Sequence, residues 1–132
     1  MEESITILPF GSLFLVCLLL HFIADFNLQG MLANLKQKKW WKENYPSPLY
    51  KYDYITSGII HAVSWSILTF LPFVLNPWFC YVVLVNGLIH YTIDHFKANR
   101  LSISLMTDQV LHIVQILVTV CCIVNVQGNQ ML

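Results

Sequence analysis

The chain has 132 residues, 57% hydrophobic and 11% charged, with seven basic and seven acidic side chains and a formal net charge of zero. So few charges cannot cover the surface of a soluble domain of this length, and no basic module suited to nucleic acid is present. The composition points to a single polytopic membrane domain spanning residues 1–132.

The N-terminus, Met1-Glu2-Glu3-Ser4, has no basic residue before the first apolar run and no small-residue cleavage site, so that run is expected to be retained. The first segment, about 5–27, carries Pro9 and Gly11 near its start, where a helix tolerates them, and meets no breaker until Gly30. Met31–Trp41 mixes apolar residues with lysines and ends in Trp40-Trp41, the composition of a short helix at the membrane interface. Pro46 and Pro48 end it. The second segment, about 55–75, places Ser57, His61 and Ser64 at helical spacing. The third, about 78–96, holds Asn86, His90 and Asp94, with Lys97 just beyond it. The fourth, about 108–126, holds Asp108, His112 and Gln115. At about 1.5 Å per residue, each covers most or all of a hydrocarbon core roughly 30 Å thick. The expected fold is all-α: a four-helix up-down transmembrane bundle, with the interfacial helix in its first loop.

Charge sets the orientation. Lys36, Lys38, Lys39, Lys42 and Lys51 lie between the first two segments and Arg100 between the last two, whereas the connection around Asn76-Pro77 is uncharged. By the positive-inside rule both basic loops are cytoplasmic, and both termini of this multi-pass inner-membrane protein lie outside the cytoplasm. The basic loops also suit anionic headgroups of the lipid bilayer, at about 1 kcal/mol per residue. Cys17, Cys80, Cys121 and Cys122 fall in apolar segments without a spaced framework and read as small hydrophobes.

The chemistry lies in three spaced pairs, His21-x-x-x-Asp25, His90-x-x-x-Asp94 and Asp108-x-x-x-His112. A spacing of four puts both side chains of a pair on one helix face. Ionisable residues inside a membrane are costly and mark functional sites. The first pair ends the first segment, the second pair ends the third segment, the third pair opens the fourth, and His61 lies near the start of the second. In an antiparallel bundle these four places share one membrane side, the cytoplasmic one.

Seven His and Asp residues gathered in one layer suit a divalent metal ion, Zn²⁺, Mn²⁺, Fe²⁺ or Mg²⁺. Candidate metal ligands are His21, Asp25, His90, Asp94, Asp108 and His112. Asp25, Asp94, Asp108 and His61 are candidates for activating water. A metal-bound water is a nucleophile near neutral pH, so hydrolysis is the leading reaction class, on a lipid-linked or phosphorylated substrate reached from the cytoplasm. Gln29, Lys36, Lys97 and Arg100, near the expected mouth, are candidate substrate contacts. His95 is about 100° around the helix from Asp94 and is expected to face away from the stripe. Three other readings compete. The pairs can simply satisfy each other within their helices. A His/Asp relay can carry protons, although the outer half of the bundle has no ionisable residue to complete a path. A non-enzymatic effector can bind a host membrane protein or perturb transport, with the polar layer fixing helix register.

The series His21-x-x-x-Asp25-Phe-x-Leu-Gln29, Lys36, His61, His90-x-x-x-Asp94-x-x-Lys97 and Asp108-Gln109-x-x-His112 resembles a family of small bacterial and phage integral-membrane proteins, domain of unknown function 3307. The resemblance spans nearly the whole chain and implies that these residues form one site. It implies no activity. The spaced His and Asp positions are more loosely similar to those of membrane-bound metal-dependent hydrolases.

Overall fold

The computed structural model describes residues 9–130, with side chains to 127; residues 5–8 of the expected first segment, and both chain termini, lie outside the described residues. Six α-helices make up the fold, and no strand occurs among the described residues. Helix α1, Phe10–Phe22, starts directly after Pro9, whose carbonyl accepts from Ser12 N and Leu13 N. Its last turn widens into a π-turn, Ile23–Asn27, closed by Leu28 N donating to Ile23 O at 2.9 Å. Gly30 then takes a left-handed φ of +48°, which a side chain would disfavour.

The expected single interfacial helix is two. Helix α2 is Leu32–Leu35 and α3 is Lys38–Asn44, separated where Gln37 becomes extended. The break turns Lys36 inward while the lysines after it stay outside. Trp40, Trp41, Tyr45 and Tyr50 form an aromatic cluster beside α3, with ring centroids 5.3–6.0 Å apart.

Helix α4, Asp53–Thr69, and α5, Phe79–His95, form the most intimately packed pair. Small residues permit this. A Cβ on Gly58 would sit 2.8 Å from the Tyr91 ring, and one on Gly87 would lie 3.6 Å from the Ala62 carbonyl oxygen. A second π-turn, Phe96–Arg100, extends α5, and Leu101 reverses the chain with φ +53°. Helix α6, Leu105–Gln130, is the longest. Ser104 caps it, its Oγ accepting from Thr107 N at 3.1 Å.

The four long helices close a ring in chain order: α1 against α4, α4 against α5, α5 against α6, and α6 back against α1. The interior divides by polarity. Leu13, Cys17, Phe70, Phe73, Val82, Ile116, Val120 and Ile123 fill one end. His21, Asp25, His61, His90, Asp94, Asp108 and His112, all buried, fill the other. Two stretches, Phe10–Asn27 and Leu105–Gln127, are long and apolar enough to cross a membrane. Helix α4 has only 17 residues, and α5 is diluted by Asn86, His90, Asp94 and His95.

Candidate metal centre

Each helix brings part of the polar layer. The π-turn of α1 supplies Asp25, α4 supplies His61, α5 supplies His90 and Asp94, and α6 supplies Asp108 and His112. One group contains Asp25, His61, His90 and Asp94, with one ligand-type atom from each lying within 4.8 Å of all the others. His61 Nε2 is 3.5 Å from Asp25 Oδ1 and 3.4 Å from Asp94 Oδ2. His90 Nε2 is 4.0 Å and 3.6 Å from the same oxygens, and 3.2 Å from His61 Nε2. The His–carboxylate gaps are longer than good hydrogen bonds. Ligands about 2.1 Å from a tetrahedral ion lie about 3.4 Å from one another, so the spacing is that of donors around a common centre. Asp25 also belongs to a second such group, with Asp108 and His112.

Around these atoms runs a set of orienting hydrogen bonds. Trp65 Nε1 donates to His21 Nδ1 at 2.9 Å, which leaves the His21 proton on Nε2, directed at Gln109 Oε1 at 3.1 Å. The Gln109 amide then donates to Asp25 Oδ2 at 2.9 Å and to Asp108 Oδ2 at 3.0 Å. Both His21 nitrogens are therefore engaged, and His21 belongs to neither group of ligand-type atoms. It positions two carboxylates through Gln109. Trp65 also stacks on His90, with centroids 3.9 Å apart and rings 10° from parallel.

The four expected substrate contacts separate. Lys36 Nζ lies 2.6 Å from Asp94 Oδ2 and is buried, while Lys97 Nζ lies 2.6 Å from Asp108 Oδ2 and stays partly exposed. Gln29 Nε2 reaches Asp25 Oδ1 at 3.4 Å and His61 Nε2 at 3.1 Å. Arg100, exposed at the end of the π-turn, is not brought to the cluster. His95 lies outside it, stacked against Tyr54 and Tyr91. Asn99 ties the α2–α3 break to α5: its Nδ2 donates to Lys36 O and its Oδ1 accepts from Lys38 N. Beside Asp94 a cavity of about 10 Å³ is lined by Lys36, Tyr54, Gly58, Tyr91, His95 and Asn99. That is room for about one water.

A model of the family described as protein of unknown function (DUF3307) matches residues 13–132. The chain belongs to the DUF3307 family. Its matched region includes every His and Asp of the cluster, together with Gln109, Trp65, Lys36 and Lys97. No curated protein and no solved structure matches the chain.

Gln109 and Trp65 are the functional side chains that the spacing pattern misses. Gln109 is one residue from Asp108, so it points about 100° away from that stripe and toward α1. Trp65 continues the α4 stripe one turn after His61, but an aromatic residue on a buried helix face ordinarily reads as core.

Proposed function

We propose that this DUF3307 member is a membrane-embedded, metal-dependent hydrolase whose substrate carries a phosphoryl group or is linked to lipid. The observation that carries the reading is the ligand-type spacing of Asp25, His61, His90 and Asp94, drawn from three helices into a buried layer. A divalent ion there would lower the pKa of a bound water and supply a nucleophile near neutral pH. Charge supports an anionic substrate. Three carboxylates face two ammonium groups, so with neutral imidazoles the residues alone leave one negative charge, and a divalent ion turns the balance positive. Lys97, partly exposed beside Asp108, would hold an anionic oxygen of the substrate, while Lys36 stays on Asp94. In hydrolysis the water oxygen bonds to the electrophilic centre, a carboxylate or imidazole of the cluster takes its proton, and the leaving oxygen departs with a proton.

Several features support placement in a membrane. Leu15, Leu19, Ile59, Ile60, Leu84, Leu88, Val114 and Val118 project outward from all four long helices, a belt that water would disfavour. A mostly apolar groove of about 490 Å³ between α5 and α6, lined by Trp78, Val85, Ile89, Val118 and Cys122, would seat a hydrocarbon chain. In this reading all four helices span the inner membrane, the Lys36–Lys51 loop is cytoplasmic and both termini are outside.

A second reading is favoured by the two short lysine–carboxylate pairs, which neutralise Asp94 and Asp108 without any ion. The layer would then fix helix register in a non-enzymatic effector that binds a host membrane protein. Asp25→Asn and Asp94→Asn separate the readings in detergent-purified protein that still folds. Loss of divalent-ion binding and of phosphoester hydrolysis supports the hydrolase. Wild-type protein with no ion affinity and no hydrolysis leaves the effector.

A further inference from the structure

Three buried atoms beside the first ligand group have no hydrogen-bond partner among the described residues: Asp94 Oδ1, Asp108 Oδ1 and His112 Nε2. They face one another. His112 Nε2 is 3.5 Å from Asp108 Oδ1 and 3.7 Å from Asp94 Oδ1. The three residues are at most 4% exposed. Buried polar atoms are nearly always paired, so two orphan carboxylate oxygens near an orphan imidazole nitrogen require an explanation.

The proton on His112 can be placed from its surroundings. Gln115 spends its amide N–H groups on Asn86 O and Asn86 Oδ1, both at 2.9 Å. Its Oε1 is thus an acceptor, 3.4 Å from His112 Nδ1. Asn86 Nδ2 donates to the Val82 carbonyl and Gln115 Nε2 to the Asn86 carbonyl, which sets the direction of both amides. A neutral His112 ring donating from Nδ1 to Gln115 keeps a lone pair on Nε2, and Asp94 Oδ1, Asp108 Oδ1 and His112 Nε2 then present three lone pairs.

We propose that Asp25, Asp108 Oδ1 and His112 Nε2 hold a second divalent cation, adjacent to the one assigned to Asp25, His61, His90 and Asp94. The centre is then dinuclear. Asp25 is the residue in ligand range of both groups and would be shared between the ions, while Asp94 Oδ1 lies 3.7 Å from His112 Nε2. The other carboxylate oxygen of Asp108 stays with Lys97 and Gln109, which fixes the orientation of Oδ1. His90 Nδ1 lies 3.2 Å from His112 Nδ1. Loading ions through both Nε2 atoms would put a proton on each Nδ1, and two such donors repel at this distance, so one ring must turn from the contact. Two-ion centres, generally roughly 3.5–4 Å apart, clamp both the attacking and the leaving oxygen of a displacement. That geometry narrows the substrate class to a phosphoester or pyrophosphate.

This inference rests on the first group also being a metal site, and the test separates the two. Purified full-length protein in mild detergent is loaded with Mn²⁺, and bound ions are counted by equilibrium dialysis while electron paramagnetic resonance reports their coupling. Two ions per chain with an exchange-coupled spectrum is the expected result. One ion with an uncoupled six-line spectrum overturns the second site and leaves the first standing. No bound ion overturns both. His112→Gln and Asp108→Asn are each expected to bind one uncoupled ion; a folded variant of either kind that retains two coupled ions overturns the assignment of these residues.

Discussion

Gln109 offers the sharpest single perturbation, because one side chain serves three buried groups. Gln109→Leu keeps the volume roughly constant and deletes the hydrogen bonds to His21 Nε2, Asp25 Oδ2 and Asp108 Oδ2. Asp108 Oδ2 keeps Lys97 at 2.6 Å, so its loss is offset. His21 Nε2 and Asp25 Oδ2 have no other hydrogen-bond partner among the described residues. Two buried groups left unsatisfied at about 1–3 kcal/mol each give a destabilisation of about 2–6 kcal/mol. Where the variant still folds, Asp25 is no longer held from behind. Removing such outer partners of metal ligands typically lowers affinity roughly 10–100-fold. Thermal unfolding in detergent, paired with a competition titration against a metal-binding dye, reads both quantities. Wild-type stability together with wild-type ion affinity would refute the orienting role of Gln109.

Lys36→Met removes the ammonium beside Asp94 and keeps most of the hydrocarbon, so the ion-free protein is expected to lose about 3–5 kcal/mol by stranding a buried carboxylate. Added Zn²⁺ or Mn²⁺ should restore much of that in a melting experiment, whereas a purely structural layer predicts no recovery. Gly58→Leu places a side chain where even a Cβ would lie 2.8 Å from the Tyr91 ring. Separating α4 from α5 in this way is expected to cost about 1–3 kcal/mol, measured by denaturant or thermal unfolding. Reporter fusions should place residue 132 outside the cytoplasm and the Lys36–Lys51 loop inside; a cytoplasmic C-terminus contradicts the four-span topology.

The convergence of the cluster was legible because its residues repeat at four-residue spacing and the helices alternate in direction, so that His21, His61, His90 and His112 reach one layer. The division of labour within it was not. His21 has the same spacing as His90, yet Trp65 and Gln109 occupy both of its nitrogens, and nothing local to residue 21 encodes those partners from α4 and α6. Lys36 read as a residue of the mouth. The break at Gln37 instead turns it onto Asp94, an interaction 58 residues away along the chain. The π-turns after Phe22 and His95 likewise leave no periodic trace in the apolar pattern, although one of them carries Asp25. Among the described residues only two stretches qualify as spans by length and apolarity: α4 stops at 17 residues, and the polar stripe of α5 lowers its hydropathy.

The central claim, that this layer binds divalent metal, is tested most directly by elemental analysis of full-length protein purified in mild detergent, followed by titration with Zn²⁺ and Mn²⁺. The account predicts bound metal in stoichiometric amount, lost in folded Asp25→Asn, the variant that removes a charge shared by both ligand groups. A wild-type protein that is folded, carries no divalent metal and shows no affinity for either added ion would contradict it.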